Sequence, residues 1–182
     1  MTRPIFCGPR DPNLIDAILR TDPYCFLQAA FPIVSPGPPL AKNWHLEAMA
    51  HVLEQVRQGV IKRLIITVPP RSVKSIMASV AFPAFVLGHD PTRRIVCVSY
   101  AESLAKKHAD DCRLLMTSGF YRALFPGTRL RKETQHELAT TRGGMRLTTS
   151  VGGTLTGRGG NIIILDDPIK PRMLILLPSV RT

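Results

Sequence analysis

The chain has 182 residues, of which 45% are apolar, and this length and composition suit one domain with its own core. Lysine and arginine number 24 against 13 acidic residues, so the formal charge is +11, which favours a polyanionic partner such as nucleic acid or a nucleotide. Residues 76–87, the longest largely apolar run, are too few to span a bilayer, and the amino end lacks the design of a signal peptide, so we expect a soluble cytoplasmic protein with no membrane partner.

A proline-rich arm is predicted over residues 1–42. Asp11 and Asp22 are each followed by proline, so each can cap a short helix that begins at that proline. Three prolines between residues 36 and 39 then predict an extended connector on the surface.

A helix is predicted over residues 43–58, where apolar side chains recur at helical spacing and Gly59 provides the end. Trp44 and His45 stand at the start of this helix. They can seal an edge of the domain, or they can flank a nucleotide base, and the spacing leaves both interpretations open.

Residues 63–75, Arg-Leu-Ile-Ile-Thr-Val-Pro-Pro-Arg-Ser-Val-Lys-Ser, predict a buried strand, a tight loop and the start of a helix. The amides and the dipole at a helix N-terminus favour an anion there. We therefore expect Lys74 to reach the β- and γ-phosphates of ATP and Ser75 to offer its hydroxyl to Mg²⁺. The predicted nucleotide-binding residues of this loop are Pro70, Arg71, Ser72, Val73, Lys74 and Ser75.

The loop departs from the pattern G-x-x-x-x-G-K-[ST], because its two glycine positions fall on Val68 and Val73. A plain strand-to-helix turn with an exposed lysine therefore remains an alternative. A β-branched residue beside the lysine resists the backbone conformations that glycine allows. We expect poor ATP binding, which Val73→Gly improves by at least about tenfold.

A third buried strand is predicted at residues 94–99 and an amphipathic helix at 101–117, in which His108 is expected at the edge of the core. This alternation of strand and helix predicts an α/β fold with a mainly parallel sheet flanked by helices. Residues 137–141 and 145–149 alternate around two glycines and predict a hairpin.

Nine basic side chains fall within residues 93–132, against three acidic ones. They are Arg93, Arg94, Lys106, Lys107, Arg113, Arg122, Arg129, Arg131 and Lys132. This local excess predicts either contact with a phosphate backbone or a solvated surface.

The last predicted strand, residues 161–166, ends in two carboxylates, Asp166 and Asp167. On such a strand Asp166 can hold Mg²⁺ opposite Ser75, and Asp167 can polarise a water, although a strand followed by a capped turn has the same pattern. Five of the twelve residues before it, 150–161, are glycine. This loop is either a flexible crossing or a means of bringing Arg158 to a phosphate or to a neighbouring subunit's nucleotide.

Four motifs together resemble the ATPase half of the large terminase subunit of tailed bacteriophages or prophages, over about residues 40–171. These motifs are Asn43-Trp44-His45, Pro-Pro-Arg71-Ser-x-Lys74-Ser75, Gly157-Arg158-Gly159-Gly160 and Asp166-Asp167-Pro168. The resemblance implies a P-loop NTPase fold and a motor in the bacterial host cytoplasm that uses ATP and Mg²⁺ to pump double-stranded DNA into a capsid. It implies that Asp166 holds the metal, that Asp167 activates water and that Arg71 is a candidate arginine finger. Full-length members also meet a portal and a small terminase subunit and act as homo-oligomers.

The expected organisation is the arm at 1–42, a P-loop ATPase domain at 43–171 and a tail at 172–182, without the coupling motif and nuclease domain of the family. The sheet is expected to be incomplete, because too few residues follow Pro168 for a parallel crossover to residues 174–177. Asp166 and Asp167 carry the only side-chain carboxylates after Glu137, so no nuclease activity is expected. Two alternatives remain, a prophage remnant that binds nucleotide or DNA without turnover and a helicase-like P-loop ATPase.

Overall fold

This computed structural model describes residues 12–153 and 159–168. These residues contain six α-helices, one π-helix and five strands. The helices are α1 (Pro12–Thr21), α2 (Pro23–Val34), α3 (Trp44–Arg57), the π-helix (Ile76–Ala81), α4 (Phe82–His89), α5 (Glu102–Thr117) and α6 (Gly119–Leu124). The strands are β1 (Arg94–Ser99), β2 (Leu130–Glu133), β3 (Glu137–Thr140), β4 (Met145–Ser150) and β5 (Ile162–Asp166). Asp11, Gly157, Arg158 and the predicted tail at 172–182 lie outside the described residues.

The five strands form one mixed sheet in the order β2-β3-β4-β1-β5. Strand β1 pairs in parallel with β4 and with β5, whereas the pairs β2–β3 and β3–β4 are antiparallel. The predicted α/β class is confirmed, but the prediction of a mainly parallel sheet is wrong. The hairpin and the short strand before it add two antiparallel pairs, and β2 (Leu-Arg-Lys-Glu) escaped prediction because it is a charged edge strand without an apolar run.

Local sequence patterns located several elements correctly. Strand β1 has the predicted bounds, α3 and α5 lie where apolar spacing placed them, and β3 and β4 form the predicted hairpin. The turn of this hairpin requires glycine twice. Gly143 has φ +89°, and a Cβ atom on Gly144 would lie 2.3 Å from the carbonyl oxygen of Pro91.

The main core lies between the helices and one face of the sheet. Its buried members come from α2, α3, the π-helix, α4, α5, α6 and the central strands, and include Phe26, Leu53, Val80, Phe85, Ile95, Cys97, Leu115 and Tyr121. A smaller buried cluster consists of Val96 and Val98 of β1 and Leu147 of β4. Val96 and Val98 are two residues apart, so they share one face of the sheet, as the two-residue period of a strand requires. No helix within the described ranges is both long and apolar enough to cross a membrane.

The strand predicted before the candidate phosphate loop, residues 70–75, is absent. Residues 61–69 join no strand of the sheet, although Leu64, Ile66 and Val68 pack against the core and Ile65 is 91% exposed. This alternation has the period of a half-buried strand, but a strand also needs a hydrogen-bonded neighbour, and none of the five strands pairs with this segment. Strand β5 forms as predicted but lies at the edge of the sheet, so it is not buried, and Ile163 and Leu165 are more than 60% exposed.

The helix predicted after the loop continues through Pro83 to His89, with π geometry over its first part. Within it, the Phe82 amide bonds to the carbonyl of Met77, five residues back. Pro83 has no amide hydrogen to donate to the carbonyl of Ser79, four residues back. That carbonyl instead accepts a 2.8 Å hydrogen bond from Nη2 of the fully buried Arg146 in β4.

Candidate functional site

The carboxyl ends of three parallel strands meet at one edge of the sheet. Ser99 of β1 is in register with Ser150 of β4 on one side and with Asp166 of β5 on the other. Asp166 is 4% exposed, whereas Asp167 follows the strand at φ +46° and its side chain is 57% exposed. The two predicted acidic residues therefore differ in environment, since one carboxylate is buried at the strand end and the other faces solvent.

Lys74 brings the loop of residues 70–75 to both carboxylates. Its Nζ lies 2.5 Å from Oδ1 of Asp167 and 3.5 Å from Oδ1 of Asp166. Helical residues begin at Lys74, as predicted, and the amide of Met77 bonds to the carbonyl of Val73 at 3.0 Å. The first amides of the helix thus stand beside the lysine at the same edge of the sheet.

The electrostatics of this cluster favour a charged lysine and a net negative site. Partial burial disfavours the ammonium of Lys74, but the hydrogen bond to Asp167 and the charge of Asp166 outweigh it, so the pKa of Lys74 lies above its ordinary value. One ammonium faces two carboxylates, so the three side chains carry a charge of −1. A polyphosphate that bound without a cation would be repelled by this excess of negative charge.

The loop before Lys74 has an unusual backbone. Arg71 has φ +63° and Val73 has φ +64°, two of the three positive values for non-glycine residues in the described chain. The left-handed region is costly for a β-branched residue. Position 73 thus has a backbone conformation that glycine adopts readily and valine resists, while the predicted effect on ATP binding stays a prediction. Arg71 is exposed and makes no ion pair with a described residue, so its predicted role as an arginine finger stays a prediction.

The start of α3 contacts the loop through one of its two predicted residues. The ring of His45 donates a hydrogen bond from Nε2 to the carbonyl of Ser72 over 3.1 Å. Trp44 is 77% exposed and stands edge-on to His45, with ring centroids 6.4 Å apart. Such exposure does not fit a side chain that seals the domain edge, and it leaves the indole accessible to a ligand at the loop.

The predicted metal ligands are only partly assembled. Asp166 has one oxygen on the side of Lys74, but the hydroxyl that contacts its other oxygen belongs to Ser79, at 3.4 Å, one helical turn after Ser75. Within residues 12–153 and 159–168, no three His, Cys, Asp or Glu side chains form a metal-binding group. A carboxylate with a nearby hydroxyl fits the usual mode of Mg²⁺ binding, in which phosphates and waters supply the remaining ligands.

Two buried residues, one beside Asp166 and one linked to it through Ser79, were not recognised as part of the site. His108 of α5, predicted at the edge of the core, has its Nδ1 3.6 Å from Oδ2 of Asp166. Burial lowers the pKa of His108 despite the opposing charge of Asp166, so the ring is neutral near pH 7. Arg146 is fully buried. Its place in a predicted hairpin strand did not indicate this burial. Only the order of strands and helices brings these side chains together.

Three loop residues of the described chain, Pro70, Ser72 and Ser75, make no hydrogen bond or ion pair with either aspartate. Their predicted contacts with a nucleotide therefore rest on the position of the loop.

Comparison of the chain with known protein families and with curated protein sequences finds no match.

Proposed function

We propose that the chain is a Mg²⁺-dependent P-loop ATPase domain that couples ATP hydrolysis to movement of double-stranded DNA, like the terminase ATPase half that its motifs resemble. The observation that carries the proposal is the position of Lys74, which begins a helix and contacts both Asp166 and Asp167. A lysine at a helix start, opposite acidic residues at a strand end, is the arrangement that phosphoryl transfer uses.

The proposed roles follow from the burial of each group. Lys74 exchanges Asp167 for the β- and γ-phosphates when ATP binds. Release from Lys74 leaves the exposed Asp167 free to accept a proton from the attacking water. The buried Asp166 and the hydroxyl of Ser75 would hold Mg²⁺, which would supply positive charge to neutralise the phosphates. Arg71, on the exposed part of the loop, stabilises charge that develops on the transferred group.

Mg²⁺ should strengthen binding, because Lys74, Asp166 and Asp167 together carry a charge of −1, which the exposed Arg71 of the same loop only cancels. Without the ion, ATP would add its phosphates to two carboxylates and one ammonium. We therefore expect ATP affinity to fall when Mg²⁺ is removed with a chelator.

The direct test compares ATP binding by the native chain and by Lys74→Met, measured with a fluorescent ATP analogue in Mg²⁺. Loss of a charge-assisted contact worth about 1.5 to 3 kcal/mol should weaken binding by at least about tenfold. Lys62→Met is the matched control, since Lys62 is an exposed lysine in the segment just before the loop. Equal affinity of the Lys74 variant and the native chain would refute a phosphate loop.

A nucleotide-binding module without turnover is the second candidate. The observation that favours it is Val73 at φ +64°, a position where P-loops place glycine. Phosphate release from ATP, measured without DNA, with duplex DNA and with single-stranded DNA, separates the possibilities. Stimulation by duplex supports the packaging motor, stimulation by single strands alone indicates a helicase-like enzyme, and binding without any release indicates the module.

A further inference from the structure

His108 is a buried histidine whose ring nitrogen lacks a partner. The residue is 5% exposed, and its Nδ1 is one of the few buried side-chain nitrogens or oxygens in the described chain without a hydrogen bond. A buried polar atom left unpaired costs about 1 to 3 kcal/mol. A histidine that served only to pack α5 would be expected to have this nitrogen satisfied.

Oδ2 of Asp166 lies 3.6 Å from this nitrogen. The same oxygen lies 3.4 Å from the hydroxyl of Ser79, while Oδ1 is the atom that Lys74 approaches. The carboxylate is thus divided, with one oxygen facing a hydroxyl and a ring nitrogen inside the protein and the other facing Lys74 of the loop. Both internal contacts exceed an ordinary hydrogen bond by about 0.5 Å, so a small shift of the carboxylate would close them.

We propose that His108 is a positioning residue for Asp166, holding Oδ2 through an Nδ1–H hydrogen bond so that Oδ1 faces the Mg²⁺ of the nucleotide. This inference rests on the proposed function. A group that orients a metal-binding carboxylate typically changes metal affinity by about 10- to 100-fold when it is lost. Ser79 alone cannot fix the carboxylate as well, because its hydroxyl rotates freely and a second donor defines the plane.

Three substitutions of His108 separate its nitrogen positions. Asparagine places an amide nitrogen near the position of Nδ1, glutamine places it near that of Nε2, and phenylalanine fills the space without any donor. The measurement is the Mg²⁺ concentration that gives half-maximal binding of a fluorescent ATP analogue to the full chain. We expect this concentration to rise about tenfold or more in His108→Gln and His108→Phe and to stay within about threefold in His108→Asn.

Thermal melting of each variant identifies loss of fold, and His51→Asn, at an exposed histidine of α3, is the control for loss of a histidine elsewhere. Should His108→Phe fail to fold, the contrast between asparagine and glutamine still decides the matter. Native-like Mg²⁺ dependence in both of those variants overturns the role of His108 and leaves the proposed function standing. A native chain that binds no nucleotide at any Mg²⁺ concentration overturns both.

A metal-free readout examines the same contact. Nitrogen-15 spectra of the native chain report which ring nitrogen of His108 carries the hydrogen. We expect the Nδ1–H tautomer, with a change in its shift on Asp166→Asn, because the hydrogen bond acceptor then loses its charge. The Nε2–H tautomer would overturn the inference, since Nδ1 could not donate to Asp166.

Discussion

Nη2 of Arg146 donates a 2.8 Å hydrogen bond to the backbone carbonyl of Ser79. This contact joins strand β4 to the π-helix that follows the loop of residues 70–75, and it uses the carbonyl to which Pro83 cannot donate a hydrogen bond. The other end of the guanidinium, Nη1, bonds to the hydroxyl of Thr148. A fully buried cation thus spans the gap between the sheet and the helix that positions Lys74.

Replacing Arg146 with lysine should destabilise the fold. A single ammonium cannot reach both acceptors that the forked guanidinium reaches, and each hydrogen bond to a charged group contributes about 1.5 to 3 kcal/mol. We expect Arg146→Lys to lower the free energy of unfolding in urea by about 2 to 4 kcal/mol. Arg142→Lys, at an exposed arginine of the neighbouring turn, should change it by less than about 0.5 kcal/mol. Similar values for the two variants would contradict the bridging role.

Sequence periodicity predicted what depends on one segment alone. Strand β1, helix α5 and the position of Lys74 at a helix start follow from local apolar spacing and from proline and glycine signals. The segment 61–69 has the right composition for a strand, but strand formation depends on a neighbour that its own residues do not specify. The approach of His108 to Asp166 could not be predicted for the same reason, since 58 residues separate them and only the tertiary arrangement of α5 and the sheet brings them together.

The basic residues between 93 and 132 fall into two groups. Arg93, Lys106, Lys107, Arg113 and Lys132 each form an ion pair with an acidic neighbour. Arg94, Arg122, Arg129 and Arg131 form none with the residues that the structure describes. Arg122 and Arg129 also line one surface cavity of about 420 Å³. The unpaired arginines are therefore the better candidates for DNA phosphates.

A triple substitution of Arg122, Arg129 and Arg131 by glutamine should weaken binding of duplex DNA at every sequence tested. If each arginine contacts one phosphate, the slope of log affinity against log salt should become shallower by about 2 to 3. The matched control replaces Lys106, Lys107 and Arg113 by glutamine, which removes the same charge from ion-paired positions and should change the slope by less than about 1. Equal changes in the two triple variants would show that overall charge, not this surface, attracts DNA.

Val73 allows a test of the loop that needs no ligand. At φ +64° a residue with a Cβ atom is strained by about 1 to 2 kcal/mol. Glycine avoids this strain, but it loses more conformational entropy on folding than alanine does. Both Val73→Gly and Val73→Ala lose valine contacts with the core, so their difference isolates the backbone. We expect the free energy of unfolding of the glycine variant to be about 1 kcal/mol higher than that of the alanine variant. At Ala48, exposed in α3, the order should be reversed, with Ala48→Gly costing about 1 kcal/mol.

The same variant separates strain borne in folding from strain borne in binding. The folded loop has the left-handed conformation at Val73, so the fold itself bears most of the cost of this strain. We therefore expect Val73→Gly to tighten ATP binding by less than the tenfold gain that the sequence alone predicts, measured by titration of the ATP analogue in Mg²⁺. A gain of tenfold or more, without the stability difference between glycine and alanine, would mean that the loop adopts this conformation only when ATP binds.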